Sequence, residues 1–127
     1  MAKTALLIED NEHNRYLTTF LLEACGYQVL HGPNGPAGIA LAQTIVPDVV
    51  LLDIQLPHMD GYEVARSLRG LSSLTRTPII AVTSYAMVGD REKTIAAGCN
   101  GYIEKPIDPE TFVAEVERIV QETAIRP

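Results

Sequence analysis

Five short apolar runs recur along this chain of 127 residues, separated by segments of helical pattern. The runs are Thr4 to Ile8, Gln28 to His31, Val49 to Leu52, Ile79 to Val82 and Tyr102-Ile103. Few folds accommodate that pattern. A run such as Val49 to Leu52 is too short for a helix and lacks the alternation of a strand with one wet face. It reads as a strand buried on both sides, inside a parallel sheet. Gln28 to His31 is more polar and suits an edge. Strands alternating with helices over short links predict an α/β fold: a doubly wound five-stranded parallel sheet with helices on both faces and right-handed crossovers.

The intervening segments supply the helices. Glu12 to Cys25 is the first, with Leu17, Phe20, Leu21 and Ala24 on one face and Gly26 as its stop. Asn34 caps a second helix, which Pro47 bounds. The third begins at Asp60, with Glu63 three residues on, and buries Val64, Ala65 and Leu68. The fourth, Val88 to Ala97, has few large apolar residues beyond Ile95. The last has Asp108 as cap and Pro109 at its first position, then Phe112, Val113, Val116, Ile119 and Val120 at helical spacing. The expectation is one domain over 1–127, with a core over 4–122 and no output domain.

Composition excludes several classes. With 46% hydrophobic and 20% charged residues the chain is neither disordered nor membrane-embedded. No apolar run approaches the ~18 residues of a bilayer span. Met1-Ala2-Lys3-Thr4 lacks a signal-peptide pattern, so the expected location is cytoplasmic. A net charge of −6 without a basic stripe argues against nucleic acid as a partner. Cys25 and Cys99 stand alone and read as buried small apolar residues. His13, His31 and His58 have neither metal-ligand spacing nor a paired nucleophile.

The chemistry lies where the strands stop. The first strand is followed by Glu9-Asp10, the third by Asp53, the fourth by Thr83-Ser84, and the fifth leads to Lys105-Pro106. In open α/β sheets the carboxyl ends of the strands are where ligands bind. Three neighbouring carboxylates repel one another unless a cation joins them. Mg²⁺ suits such a site, because it takes oxygen ligands from one or two carboxylates and keeps several waters. Asp10 and Asp53 are the expected direct ligands, with Glu9 acting through water or alongside and the Gln55 backbone carbonyl as a further oxygen. A carboxylate can also attack phosphorus and form an acyl phosphate. Such a transfer needs mainly positioning and charge neutralisation. Here Mg²⁺ and Lys105 neutralise the phosphoryl oxygens and the Thr83 hydroxyl donates to them. Asp53, on the central strand between the acid pair and the Thr/Lys side, is the expected nucleophile. Taken singly, each residue has a plainer reading: a helix cap for Glu9-Asp10, strand-end hydroxyls for Thr83-Ser84, a solvated amine for Lys105.

Together, Glu9-Asp10, Asp53 with Pro57 and Gly61 in a D-x-x-x-P-x-x-x-G pattern, Thr83, and Lys105-Pro106 resemble the signature of the response-regulator receiver domain of two-component signalling. The resemblance covers essentially the whole chain. It implies a flavodoxin-like strand order 2-1-3-4-5 and a cis Lys105-Pro106 bond. It also implies phosphorylation of Asp53 by a histidine kinase or a histidine phosphotransfer protein of a phosphorelay. Tyr102 stands where the family carries its switch aromatic. Thr83 would then shift toward the phosphoryl group and the Tyr102 ring turn inward, altering a surface of the fourth helix, fifth strand and fifth helix that meets a downstream protein. The alternative for Tyr102 is a simple half-buried strand aromatic. Tyr85 to Asp90 is similar to stand-alone receivers of the DivK type. Asn11, Glu12 and Asn14 are either solvated or part of a kinase-docking face.

Other functions fit less well. A phosphatase or phosphotransferase of this chemistry wants a second acid two residues after its nucleophile, and Gln55 stands there. A flavin module wants a glycine- and hydroxyl-rich loop after the first strand, whereas residues 10–14 are acidic without glycine. A receiver never phosphorylated would not need this residue set. The expectation is therefore a signalling module, not an enzyme.

Overall fold

The structure, a computed structural model, describes residues 3–56, 59–84 and 89–125. In chain order it contains β1 (Lys3–Ile8), α1 (Glu12–Ala24), β2 (Tyr27–Gly32), α2 (Gly35–Thr44), β3 (Val49–Asp53), α3 (Gly61–Arg69), a 3₁₀ turn (Ser72–Leu74), β4 (Ile79–Thr83), α4 (Asp90–Ala96), β5 (Gly101–Glu104) and α5 (Phe112–Ile125). All neighbouring strands are parallel, in the order β2-β1-β3-β4-β5. The expected sheet and its order are therefore found, with the polar β2 at an edge.

The sheet separates two cores. Leu6, Ile8, Val50, Leu52, Ile79 and Ala81 face one way, against Ala42 of α2 and Val64, Ala65 and Leu68 of α3. Ala5, Leu7, Val49, Leu51, Ile80, Val82 and Ile103 face the other, against Leu22 of α1 and Phe112, Val116 and Ile119 of α5. Successive strand side chains point to opposite faces, so a continuous apolar run serves both cores.

Register sets the functional rim. Ile8 pairs with Leu52, Asp53 with Val82, and Thr83 with Glu104. The residues that follow β1 and those ending β3, β4 and β5 therefore emerge along one edge. Two local features hold that edge. Asn34 caps α2 through its side chain, which accepts from the Ala37 N–H at 2.8 Å. Gly61 opens α3 where a Cβ would strike the backbone of Ile54, so only glycine lets α3 close over the loop after Asp53.

Several expectations need correction. In α1 the buried residues are Thr18 and Leu22, while Phe20 is 61% exposed and Ala24 is exposed. Leu21 packs against the core as expected, but the face that meets the sheet is turned toward Thr18 and Leu22. Cys25 is exposed at the end of α1, whereas Cys99 is buried as expected. Within the expected fourth helix, α4 runs Asp90–Ala96; Thr94 is its buried residue and Ile95 is exposed. Asp108 accepts from the Glu110 N–H at 2.9 Å, but 109–111 forms a turn and α5 starts at Phe112. Pro57, His58, Tyr85 and Val88 lie outside the described residues. No helix among the described residues is long and apolar enough to cross a membrane.

Candidate functional site

Glu9 leaves β1 one residue beyond Ile8, and Asp53 ends β3 beside it; both are buried. Asp10 follows on the exposed side. Glu9, Asp10 and Asp53 each offer an oxygen within 4.8 Å of the others. Lys105, beyond the end of β5, reaches back across the rim. Its Nζ lies 3.1 Å from Glu9 Oε1 and 3.4 Å from Asp53 Oδ2. The Lys105-Pro106 peptide is cis, as the sequence resemblance implied. The Lys105 N–H donates to the Thr83 carbonyl at 2.8 Å, which ties the lysine backbone to the end of β4. Thr83 itself is buried.

The remaining oxygens are held by main-chain donors. The Gln55 N–H donates to Asp53 Oδ1 at 2.9 Å, and the Asn11 N–H donates to Glu9 Oε2 at 3.3 Å. The Gln55 side chain accepts from the Ser84 N–H at 3.3 Å, joining the loops after β3 and β4. Burial raises the Glu9 pKa from 4.5 to about 7; the hydrogen bond and charge of Asp53 add to the rise, and Lys105 opposes it. Without a metal, Glu9 therefore gives up its proton less readily than a free carboxyl does. The donor set fits a hard divalent cation: carboxylate oxygens, two of them sheltered and one open to water.

The rim brings together Glu9, Asp10, Asp53 and Lys105, with Thr83 ending the neighbouring strand. Tyr102 stands apart on β5, half-buried. It lines a cleft of about 520 Å³ with Arg91 of α4 and Phe112 and Glu115 of α5. His31, set aside above for want of metal-ligand spacing, is the penultimate residue of β2. Its Nε2 lies 2.8 Å from the Glu9 carbonyl, and its Nδ1 is 3.2 Å from Arg15. The only sequence signal was its position at the end of a strand bordering β1.

A parallel 2-1-3-4-5 sheet with acids and an ammonium group at its carboxyl edge defines the class: a flavodoxin-like α/β domain with an acidic pocket suited to a cation. Within that class the family model for the response regulator receiver domain matches residues 5–117. The chain belongs to this receiver-domain family and is a phosphoacceptor response regulator of two-component signalling. It is 41% identical over 117 residues to the polar-differentiation response regulator DivK of Brucella anthropi, covering 92% of this chain and 95% of that protein. The DivK of Brucella ovis is 40% identical over the same length, with the same coverage.

Solved structures agree. The chemotaxis response regulator CheY4 of Vibrio cholerae matches with a TM-score of 0.89 at 28% identity, covering 94% of this chain and 99% of that one. The receiver domain of a Pseudomonas aeruginosa sensor histidine kinase matches with a TM-score of 0.83 at 36% identity, covering 96% and 97%. That structure holds a magnesium ion coordinated in its active-site cleft.

Proposed function

We propose that Asp53 is the phosphoacceptor, that Glu9, Asp10, Asp53 and the Gln55 carbonyl hold Mg²⁺ directly or through water, and that the Lys105 ammonium neutralises the phosphoryl oxygens while the Thr83 hydroxyl donates to them. The observation that carries this reading is the Lys105 ammonium, 3.1 Å from Glu9 and 3.4 Å from Asp53 in a sheltered pocket. An ammonium poised between acids can follow charge from the carboxylate to an incoming phosphoryl oxygen. Asp53 Oδ1 accepts from the Gln55 N–H, and Oδ2, which faces the ammonium that would meet the phosphoryl oxygens, is taken as the attacking atom. The Oδ2–P bond forms as the P–N bond of a phosphohistidine breaks. The electron pair leaves with the imidazole nitrogen, which takes up a proton. When bound, Mg²⁺ offsets negative charge on the acids and the phosphoryl oxygens.

The donor is a histidine kinase or a histidine phosphotransfer protein. The downstream partner is a protein that meets α4, β5 and α5, where Tyr102 lines the cleft. Thr83 and Tyr102 couple the two regions: Thr83 moves toward the phosphoryl group and the Tyr102 ring turns inward. The cleft supports this reading, because inward rotation of a half-buried ring beside α4 and α5 would change its shape.

Intact-mass analysis tests the chemistry. A small phosphodonor with Mg²⁺ should add about 80 Da to the wild-type protein and nothing to Asp53→Asn, as an acyl phosphate requires. An equal adduct on the variant would overturn the assignment. Sustained turnover of a phosphomonoester by the wild type would favour an enzyme over a signalling module.

A further inference from the structure

We infer that His31 is a positioning residue for the acidic pair: its ring, set in one tautomer by Arg15, fixes the peptide between Glu9 and Asp10 so that both carboxylates face Asp53. The inference rests on the reading of this rim as a cation and phosphoryl site. Leu7 pairs with His31 and Ile8 with Gly32, so β2 ends alongside the departure of Glu9 from the sheet. The Glu9 N–H donates to the Gly32 carbonyl at 3.2 Å, and the Glu9 carbonyl lies 2.8 Å from His31 Nε2. Two consecutive residues of β2 thus hold both main-chain polar groups of Glu9.

The tautomer follows from the partners. A guanidinium can only donate, so Arg15 makes His31 Nδ1 the acceptor at 3.2 Å. The ring hydrogen then sits on Nε2, where it donates to the Glu9 carbonyl. That carbonyl belongs to the peptide plane that also carries the Asp10 N–H. Rotating the plane would swing Asp10 away from Glu9 and Asp53, whose oxygens now lie within 4.8 Å of its own. A helix residue, an edge-strand residue and a site acid are therefore linked in series, from Arg15 through His31 to Glu9.

The test compares Mg²⁺ binding by calorimetry for wild type, His31→Leu and His31→Gln, with ¹⁵N NMR of the His31 ring in wild type and Arg15→Met. Loss of one positioning hydrogen bond should weaken Mg²⁺ binding by about three- to tenfold in His31→Leu. His31→Gln, whose amide N–H can reach the same carbonyl, should recover most of that loss. The wild-type neutral ring should carry its hydrogen on Nε2 alone, and Arg15→Met should admit the other tautomer. The inference is overturned if His31→Leu binds Mg²⁺ as the wild type does, or if His31→Gln is as weak as His31→Leu. It is also overturned if the wild-type hydrogen sits on Nδ1, a readout that needs no variant to fold. Wild-type protein that takes up no Mg²⁺ would overturn the site reading itself, and this inference with it.

Discussion

The Glu9 carboxyl is 3% exposed and lies against a second acid, so it keeps its proton up to about pH 7 in the metal-free fold. Below pH 4.5 the group is protonated in both folded and unfolded chains. Between 4.5 and about 7 the unfolded chain has lost the proton while the fold retains it, so this group's contribution to stability falls as pH rises and then levels off. Urea unfolding in a chelator should show the decline, and Glu9→Gln should remove that part of it. Mg²⁺ must displace the proton, so its affinity should weaken as pH falls below about 7, by up to about tenfold per unit. An Mg²⁺ affinity that stayed flat through this range would contradict the assignment of Glu9. At this scale the candidate site was legible where a polar residue interrupts or follows an apolar run, as Asp10, Asp53, Thr83 and Lys105 all do. His31 was not, because its partners are 22 and 16 residues away and one of them is a main-chain carbonyl. A main-chain acceptor leaves no trace in the amino-acid letters.

Among the elements, α1 shows how a correct helix can be given an inner face that is only half right: Leu21 packs against the core, whereas Phe20 and Ala24 are exposed. Tyr16 and Phe20 form an exposed i, i+4 pair, 74% and 61% accessible, while Leu22 is fully buried. Leu22→Ala should cost about 2–5 kcal/mol in urea unfolding. Phe20→Ala should stay within about 0.5 kcal/mol, and a large loss there would restore the stripe expected from sequence. The ends of α3 and α4 show a second long-range device. Arg69 donates to the Gly98 carbonyl at 3.0 and 2.8 Å, to the carbonyls of Leu74 and Thr77 at 2.8 and 3.0 Å, and to Asn100 Oδ1 at 2.7 Å. This guanidinium ties α3 to the loop after α4, at the end of the sheet opposite the acids. Arg69→Met should cost about 2–4 kcal/mol, since several charge-assisted bonds to carbonyl oxygens are lost at once. Arg69→Lys should recover little, because one ammonium cannot span that set of acceptors. Loss of less than about 0.5 kcal/mol in urea unfolding of Arg69→Met would refute the clamp. The start of α5 was misplaced for a related reason. Asp108-Pro109 does mark where the chain turns, but a turn over 109–111 precedes the first residue of the helix, Phe112.

For the whole molecule, the alternation of apolar runs and helices was sufficient to give a parallel sheet. The doubly buried β3 and β4 leave no other way to satisfy such residues. Strand order came from family resemblance, since alternation fixes crossover handedness but not which strand lies beside which. The registers then explain why acids distant in sequence meet: parallel strands bring their carboxyl ends to one edge, and Glu9, Asp53 and Lys105 converge there. The account's central claim is that this convergence makes Asp53 the residue that carries phosphorus. The most direct measurement is to phosphorylate the protein with a small phosphodonor and Mg²⁺, reduce the acyl phosphate with borohydride, and locate the resulting homoserine by peptide mass mapping. The account predicts homoserine at position 53 alone, and none when Mg²⁺ is withheld by a chelator. Homoserine at position 10, or a protein phosphorylated without any at position 53, would contradict it.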